Sequence, residues 1–312
     1  MKKPKHLLSI ADLNRKDIEF LIRSAIKIKK NPSKYSDSME DKTLLMLFEA
    51  PSLRTRISFE TGMTQMDGHA IYYDMKESTV GKKETIKDLA NVVSRYCDLI
   101  MARIAKHSDI MEIAKNSRVP VINGLTSYEH PCQILSDMMT IYEIKKSFKI
   151  NLAYLGDGNN NTTHSLMFAA SILGMNISVA SPKGKDYEPQ QKVIRQAKQF
   201  AAKSGSNILV TDNPKQAVKN ADFIYTDSWM SYHIPQEEEK GRIKIFSPYQ
   251  VNNSIMKMAK KDAKFMHCLP AKRGEEVTAG VIDGKQSIVY QQAENRLHAQ
   301  KAIMLWLMGI KV

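Results

Sequence analysis

Cysteine, acidic charge and long apolar runs are all scarce in this 312-residue chain. Its three cysteines, Cys97, Cys132 and Cys268, are scattered and form neither a disulfide framework nor a Cys/His metal spacing. No run reaches the roughly 18 consecutive apolar residues of a membrane span, and the opening MKKPK leads into no secretory signal. We therefore expect a cytoplasmic protein with reduced thiols, no metal and no membrane partner.

The shortage of acid leaves a strongly basic chain, with 46 Lys+Arg against 33 Asp+Glu and a net charge of +13. Such a charge is typical of proteins that bind nucleic acid or small anions. The basic residues are dispersed along helical stretches such as 22–30, without a Lys/Arg block or interleaved aromatics. This dispersion favours a solvated basic surface, so we expect no nucleic-acid partner. The net positive charge is still compatible with attraction of a small anionic substrate.

Length and hydrophobic patterning predict two domains, because one core rarely serves a chain of this length. Apolar runs alternate with amphipathic helical segments, as in parallel sheets built from βαβ units. The predicted α/β fold has two doubly wound parallel-sheet domains with a cleft between them, residues 1–146 and 147–293, and a C-terminal helix, 294–312, that packs back on the first domain. The predicted strands are 43–50, 69–74, 97–103 and 119–123 in the first half, and 150–157, 176–182, 207–212, 222–227, 263–270 and 287–292 in the second.

Three stretches place polar side chains where a strand ends. In PSLRTR, 51–56, Ser52 stands at the N-cap of a predicted helix, whose first N–H groups and neighbouring Arg and Thr side chains suit a phosphate. An ordinary cap with surface arginines fits the same spacing. In EHPCQILSD, 129–137, His130 could polarise a carbonyl and Gln133 could hold an NH₂ group, although His-Pro is also a common turn. In MHCLP, 266–270, a lone thiol is by default structural.

Together these stretches resemble the carbamoyltransferase family, and within it the ornithine branch. Order and spacing match over nearly the whole chain, which makes the combination specific although each part is weak. The shared motifs are SxRTR at 52–56, Arg103 after a strand, HPCQ at 130–133, GDGNN at 156–160, DxWxS at 227–231, HCLP at 267–270 and AENR at 293–296.

The resemblance implies carbamoyl phosphate and L-ornithine as substrates, a homotrimer or a multiple of trimers, and no cofactor. It assigns catalytic roles to Arg54, Arg103, His130 and Cys268. The carbamoyl phosphate ligands that it implies are Ser52, Leu53, Arg54, Thr55, Arg103, His130, Gln133, Cys268, Leu269 and Arg296. The ornithine ligands that it implies are Asn160, Asp227, Ser231 and Tyr232.

Three departures from the family pattern bear on these roles. Leu53 replaces the usual Thr of the first motif, which removes one hydroxyl contact to phosphate. Lys82 and Lys83 stand in a loop, 77–84, that in relatives can reach a neighbouring subunit's site, and a solvated loop is an equally good interpretation. Ser231 is followed by Tyr232-His233 instead of Met-Gly, which loses the conformational freedom of glycine and leaves another amine, such as putrescine or a different basic amino acid, as an alternative to ornithine.

Other classes fit the sequence less well. An aspartate-specific relative would need basic residues for a second carboxylate, whereas this loop offers Asp227 and the acidic run 237–239. An NAD-dependent oxidoreductase would need a complete glycine fingerprint, but the third glycine is replaced at Asn161. A basic nucleic-acid-binding protein is the non-enzyme alternative.

Overall fold

The computed structural model describes residues 6–77, 83–231 and 234–312. Lys82 and Tyr232 lie outside the described residues, whereas Lys83 is described and exposed. Two compact units are present, one made of the chain up to Met139 with Glu294–Val312, and the other of Thr140–Ala293. The chain passes from one unit to the other within two of its helices.

The first unit is built on a parallel four-stranded sheet with the order β2-β1-β3-β4. The apolar residues of its central strands form the core, where Leu47, Ile100 and Val121 pack with Ile110 and Ile113 of a covering helix. Elements in chain order are α1 (Arg15–Lys30), β1 (Thr43–Phe48), α2 (Leu53–Thr64), β2 (His69–Asp74), α3 (Ile86–Val93), β3 (Leu99–Arg103), α4 (His107–Asn116), β4 (Val121–Leu125) and α5 (Pro131–Lys145).

The second unit holds a parallel five-stranded sheet with the order β7-β6-β5-β8-β9. Its core includes Leu155, Ile224 and Phe265 from three adjacent strands, and every residue of helix α6 is buried. The elements are β5 (Asn151–Leu155), α6 (Asn161–Leu173), β6 (Asn176–Ala180), α7 (Gln191–Ser204), β7 (Ile208–Thr211), α8 (Pro214–Val218), β8 (Phe223–Tyr225), α9 (Glu239–Phe246), α10 (Asn253–Met256), β9 (Lys264–Met266), α11 (Ala279–Ile282) and α12 (Val289–Met308).

The predicted α/β class with two parallel sheets is confirmed, and nine of the ten predicted strands exist. The exception is 287–292, where the prediction was wrong. Only Ser287 forms an isolated bridge, to Phe265, and α12 begins at Val289. The short apolar run 288–290 resembles a strand, but the 20-residue helix α12 begins within it, at Val289. Periodicity does not distinguish a strand from a helix in so short a run.

Among the described helices, none combines the length and the apolar character needed to span a membrane.

Candidate active site

Carboxyl ends of three neighbouring strands in the first unit lead to the predicted phosphate-binding residues. β1, β3 and β4 are adjacent and parallel, and Phe48 ends β1 in register with Arg103 at the end of β3. The chain leaving β1 enters α2 through Ser52, and the chain leaving β4 reaches His130 just before α5. In this order, β2 lies on the outer side of β1, and β4 lies on the opposite outer side, next to β3. The edge between β1 and β3 is therefore a topological switch point, where open α/β sheets bind ligands.

Helix α2 begins at the predicted anion-binding turn. Ser52 is its N-cap with an extended backbone, and the Ser52 side chain makes no capping hydrogen bond. Thr55 in the first turn is buried, whereas the apolar Leu53 side chain is 69% exposed, which leaves Leu53 only its backbone N–H to offer a ligand. Because the first N–H groups of a helix carry partial positive charge, this turn suits an anion.

The two arginines of this turn differ in their surroundings. The Arg56 guanidinium is exposed, donates from Nε to Glu60 Oε1 at 2.9 Å, and lies 3.9 Å above the Tyr72 ring. Arg54 is half-buried in the same turn. The interpretation as an ordinary surface arginine therefore applies to Arg56, and Arg54 remains the candidate ligand.

Arg296 of α12 lies inside the first unit against the same turn. Its guanidinium donates to Gln133 Oε1 at 2.6 Å and to Thr55 Oγ1 at 3.4 Å. In the amide orientation that satisfies its neighbours, the Gln300 oxygen accepts from Arg296 Nη2 at 2.8 Å. These three acceptors are neutral, so none of them cancels the positive charge of the guanidinium.

His130 is buried beside this charge. Burial, followed by the positive charges of Arg296 and Arg103, holds the pKa of His130 well below its usual 6.5. The imidazole is therefore neutral at neutral pH, and it can donate an N–H to an oxygen without releasing a proton. This state matches the predicted carbonyl-polarising role better than that of a general acid.

Glu129 is a residue of the same loop that the sequence analysis did not single out. Its side chain is fully buried and accepts hydrogen bonds from the Ser9 hydroxyl and, at 2.9 Å, from the Ile10 backbone N–H. The segment near the N-terminus thus fastens the residue that precedes His130. Sequence pattern carried no signal for this contact, because its partners lie 119 and 120 residues away.

In the second unit, three predicted site residues follow the adjacent strands β5, β8 and β9. Asn160 follows β5, Asp227 follows β8 and Cys268 follows β9. Strands β6 and β7 follow on one side of β5, and β9 follows on the opposite side, next to β8. The edge between β5 and β8 is therefore the switch point of the second sheet. Ser231 is half-buried in the loop after Asp227.

The Asp227 carboxylate is the centre of a hydrogen-bonded cluster. Asn160 accepts the Thr162 backbone N–H at 2.7 Å as the N-cap of α6, and this orientation turns its NH₂ group toward Asp227. Thr162 and Ser228 were missed by the sequence analysis. The donors to the carboxylate are Asn160 Nδ2 at 3.3 Å, Thr162 Oγ1 at 2.9 Å, the Ser228 N–H at 2.8 Å and Cys268 Sγ at 3.0 Å.

The turn that carries Cys268 is fixed by a buried histidine. His267 Nδ1 accepts the Leu269 backbone N–H at 2.8 Å, and Nε2 lies 3.2 Å from Glu276 Oε1. Leu269 has a φ of 59°, a costly conformation for a branched residue, so it requires such support. His267 therefore has a structural role in the motif.

Asp227, His267 and Cys268 each place one donor atom within 4.8 Å of the others. Both ring nitrogens of His267 already have protein partners, so this cluster does not fit a metal ion without rearrangement. The expected absence of a metal stays a prediction.

A buried ion pair supports the loop that bears Asp227. Arg242 of α9 pairs with Asp157 after β5 and donates from Nε to the Trp229 carbonyl at 2.6 Å. Trp229 stacks on Phe246 of the same helix, with ring centroids 5.9 Å apart. Burial raises the pKa of Asp157 to about 7, although Arg242 opposes this rise. Arg242 and Asp157 were not predicted as site residues.

Glycines of the GDG motif are explained by close packing. A Cβ at Gly158 would lie 2.6 Å from Pro189 Cδ and 2.8 Å from the Tyr187 carbonyl oxygen. Gly156 adopts a φ of 127°, which side-chain-bearing residues rarely reach. Close packing at Gly158 and the backbone conformation of Gly156 therefore explain both glycines of the motif without a bound dinucleotide.

Comparison with known proteins matches each half of the chain to a described domain family. Residues 5–143 match the family described as "Aspartate/ornithine carbamoyltransferase, carbamoyl-P binding domain", and residues 148–307 match its "Asp/Orn binding domain". The chain is 49% identical over 311 residues to ornithine carbamoyltransferase of Anoxybacillus flavithermus, covering 98% of this chain and 97% of that protein.

Two archaeal proteins are similarly close. Ornithine carbamoyltransferase of Archaeoglobus fulgidus is 48% identical over 309 residues, with 98% of both chains covered. The solved structure of ornithine carbamoyltransferase from Pyrococcus furiosus matches with a TM-score of 0.93 at 48% identity, again covering 98% of each chain. The chain therefore belongs to the aspartate/ornithine carbamoyltransferase family.

Proposed function

We propose that this protein transfers the carbamoyl group of carbamoyl phosphate to the side-chain amine of L-ornithine, giving citrulline and phosphate. The observation that carries the proposal is the pair of switch-point clusters, one cationic and one acidic. The first gathers Arg296 and a neutral His130 beside the α2 turn. The second centres on the Asp227 carboxylate with the Cys268 thiol. Names of the similar proteins favour ornithine over another amine as the acceptor.

In this proposal the first domain, with the predicted bounds 1–146 and the C-terminal helix 294–312, binds carbamoyl phosphate. The Ser52 hydroxyl, the N–H groups of the α2 turn and the Thr55 hydroxyl hold phosphate oxygens. Arg54 and Arg103 neutralise the phosphate charge. Charge-assisted hydrogen bonds of this kind are about twice as strong as neutral ones.

The carbamoyl group is held next to the phosphate. His130 and Arg103 donate to its carbonyl oxygen, and Gln133 accepts from its NH₂ group. Arg296 and the backbone carbonyls of Cys268 and Leu269 complete the predicted ligand set. Donors aimed at this oxygen stabilise the negative charge that grows on it as the carbonyl is attacked.

The second domain, 147–293, binds ornithine through Asn160, Asp227, Ser231 and Tyr232. An aliphatic ammonium has a pKa of about 10.4 and must lose its proton before it can attack. The freed amine nitrogen then bonds to the carbonyl carbon, and the bond from that carbon to the phosphate oxygen breaks. Asp227 and Cys268 orient the amine, and the departing phosphate takes the proton that the new C–N bond releases.

A homotrimer, or a multiple of trimers, is the assembly proposed for the chain. The supporting feature is the exposure of Ile71 and Tyr73 on the edge strand β2, with 44% and 38% of their surface exposed. Helix α2 also exposes Leu53 and Ile57, at 69% and 51%. Edge strands with exposed apolar residues are usually covered by a partner. Sedimentation equilibrium should give three times the chain mass or a multiple of it, and Ile71→Lys should lower that mass.

A matched pair of arginine variants tests the site assignment. Arg54→Met should lower carbamoyl phosphate turnover about a hundredfold or more, because a phosphate charge loses its partner in the transition state. Arg56→Met, two residues on in the same helix, should stay within about threefold of the parent, because the described partners of its guanidinium are Glu60 and Tyr72 at the surface. Phosphate release with ornithine present measures both. Equal rates for the two variants would overturn the assignment.

A further inference from the structure

A buried hydrogen-bonded chain joins α5 to α12 within the first unit. Asp137 Oδ1 accepts from Gln133 Nε2 at 2.8 Å, and Gln133 Oε1 accepts from Arg296 Nη1 at 2.6 Å. Asp137, Gln133 and Arg296 are 0%, 1% and 3% exposed. Gln133 and Asp137 are four residues apart on α5, so the helix itself holds them in register.

This chain removes an ambiguity that a glutamine side chain otherwise has. The amide oxygen and nitrogen are nearly identical in shape, and the group can rotate to exchange them. Asp137 Oδ1 accepts from Gln133 Nε2, so this oxygen draws the NH₂ group of Gln133 toward itself. A guanidinium donates only, so Arg296 draws the Gln133 oxygen. Both neighbours select the same orientation.

The consequence concerns what Gln133 can recognise. An amide oxygen accepts two hydrogen bonds, and Arg296 supplies one of them. Gln133 therefore presents an acceptor to the cluster that contains Arg296, while its donors face Asp137. His130 belongs to the same cluster, because its carbonyl oxygen accepts the Gln133 backbone N–H at 3.1 Å.

We propose that Asp137 is a positioning residue that fixes Gln133 as a hydrogen-bond acceptor and thereby selects acyl phosphates whose acyl carbon carries an NH₂ group. The proposal rests on the proposed function and adds a basis for donor selectivity. Acetyl phosphate has nearly the same size as carbamoyl phosphate, but its methyl group donates no hydrogen bond. A site built around a substrate N–H rejects an analogue without it far more strongly than a site that reads size alone.

Calorimetric binding of carbamoyl phosphate, acetyl phosphate and inorganic phosphate tests this proposal without requiring turnover. The parent protein should bind carbamoyl phosphate at least about a hundredfold more tightly than acetyl phosphate. Asp137→Asn keeps the shape but lets the Gln133 amide rotate, so the ratio should fall about tenfold or more. That fall should come from carbamoyl phosphate, with acetyl phosphate and phosphate affinities within about threefold of the parent.

A reciprocal double variant separates positioning from structural support. When Gln133→Glu is combined with Asp137→Asn, the new amide at position 137 donates to the new carboxylate at position 133, whose other oxygen still accepts from Arg296 and from the substrate. A carboxylate oxygen at position 133 then faces the substrate as an acceptor, so the ratio should rise about tenfold above that of Asp137→Asn alone. Cys132→Ser, which alters the adjacent residue on α5 but not the chain of hydrogen bonds, should keep the parent ratio.

Each outcome has one meaning. Equal losses for all three ligands in Asp137→Asn, or a parent protein that does not discriminate the two acyl phosphates, would overturn the role of Asp137. If Asp137→Asn does not fold, the double variant decides: a retained preference for carbamoyl phosphate of about tenfold or more supports the role of Asp137, and no preference would overturn it. Normal selective binding without citrulline formation would instead contradict the proposed function and leave the Asp137 role intact.

Discussion

Replacement of Asp227 by asparagine is the perturbation that most sharply tests the role proposed for the acidic cluster of the second unit. Four groups donate to this carboxylate, namely Asn160, Thr162, the Ser228 N–H and the Cys268 thiol. Such an arrangement holds a negative charge in one position and suits an ammonium group or an amine. Asp227→Asn preserves the shape, removes the charge, and turns an NH₂ group toward groups that are themselves donors.

The magnitude follows from these contacts. A hydrogen bond to a charged group contributes about 1.5–3 kcal/mol, and about 1.4 kcal/mol corresponds to a factor of ten. Loss of one such bond between Asp227 and ornithine should therefore lower kcat/KM for ornithine roughly tenfold to a hundredfold. Misplaced donors around the new amide should also lower the free energy of unfolding by about 1–3 kcal/mol.

Steady-state kinetics with each substrate varied in turn provide the assay. The KM for ornithine should rise, and the KM for carbamoyl phosphate should stay within about threefold, because Asp227 is assigned to the amino acid alone. Asp212→Asn, which breaks an exposed ion pair with Lys183, is the matched control and should leave both constants unchanged. A rise confined to the KM for carbamoyl phosphate would refute the assignment of Asp227.

Three further predictions concern stability. Arg242→Met should lower the free energy of unfolding by about 3–5 kcal/mol in urea titrations, because it leaves Asp157 without its buried partner. Gly158→Ala should cost about 1–3 kcal/mol in the same assay, since its Cβ meets Pro189 at 2.6 Å. In the parent, the free energy of unfolding should fall as the pH drops below 6.5, because His130 binds a proton in the unfolded chain but not in the native state, where its pKa is depressed. His130→Gln should make this fall smaller.

Each of these three results has a contrary outcome. Unchanged urea midpoints would contradict the packing arguments for Arg242 and Gly158. For His130, stability of the parent should rise with pH through this range by up to about 1.4 kcal/mol per pH unit. The same pH slope in the parent and in His130→Gln would show that another group causes it.

Local signals in the sequence predicted most of the fold. Strand β1, for example, is an uninterrupted apolar run after Thr43, because a parallel strand is covered on both faces. The failure at 287–292 arose where a short apolar segment starts a helix that belongs to the core. Only the 20-residue length of α12 identifies it as a helix, and that length is not apparent from six residues.

The candidate site was predictable only in part, because motifs mark ligands and not the residues that hold them. Glu129 reaches Ile10 across 119 positions, and Arg242 reaches Asp157 across 85. Neither contact leaves a spacing that a single sequence reveals. Asp137 lay inside a stretch that the sequence analysis quoted, but its role required the position of Gln133 and Arg296 in space.

Product formation from carbamoyl phosphate, with ornithine, putrescine, lysine and aspartate offered in parallel, tests the central claim most directly. The account predicts citrulline and an equal amount of phosphate with ornithine, and little turnover with the other three acceptors. Preferred turnover with another amine, or phosphate release without a carbamoylated product, would contradict carbamoyl transfer to ornithine.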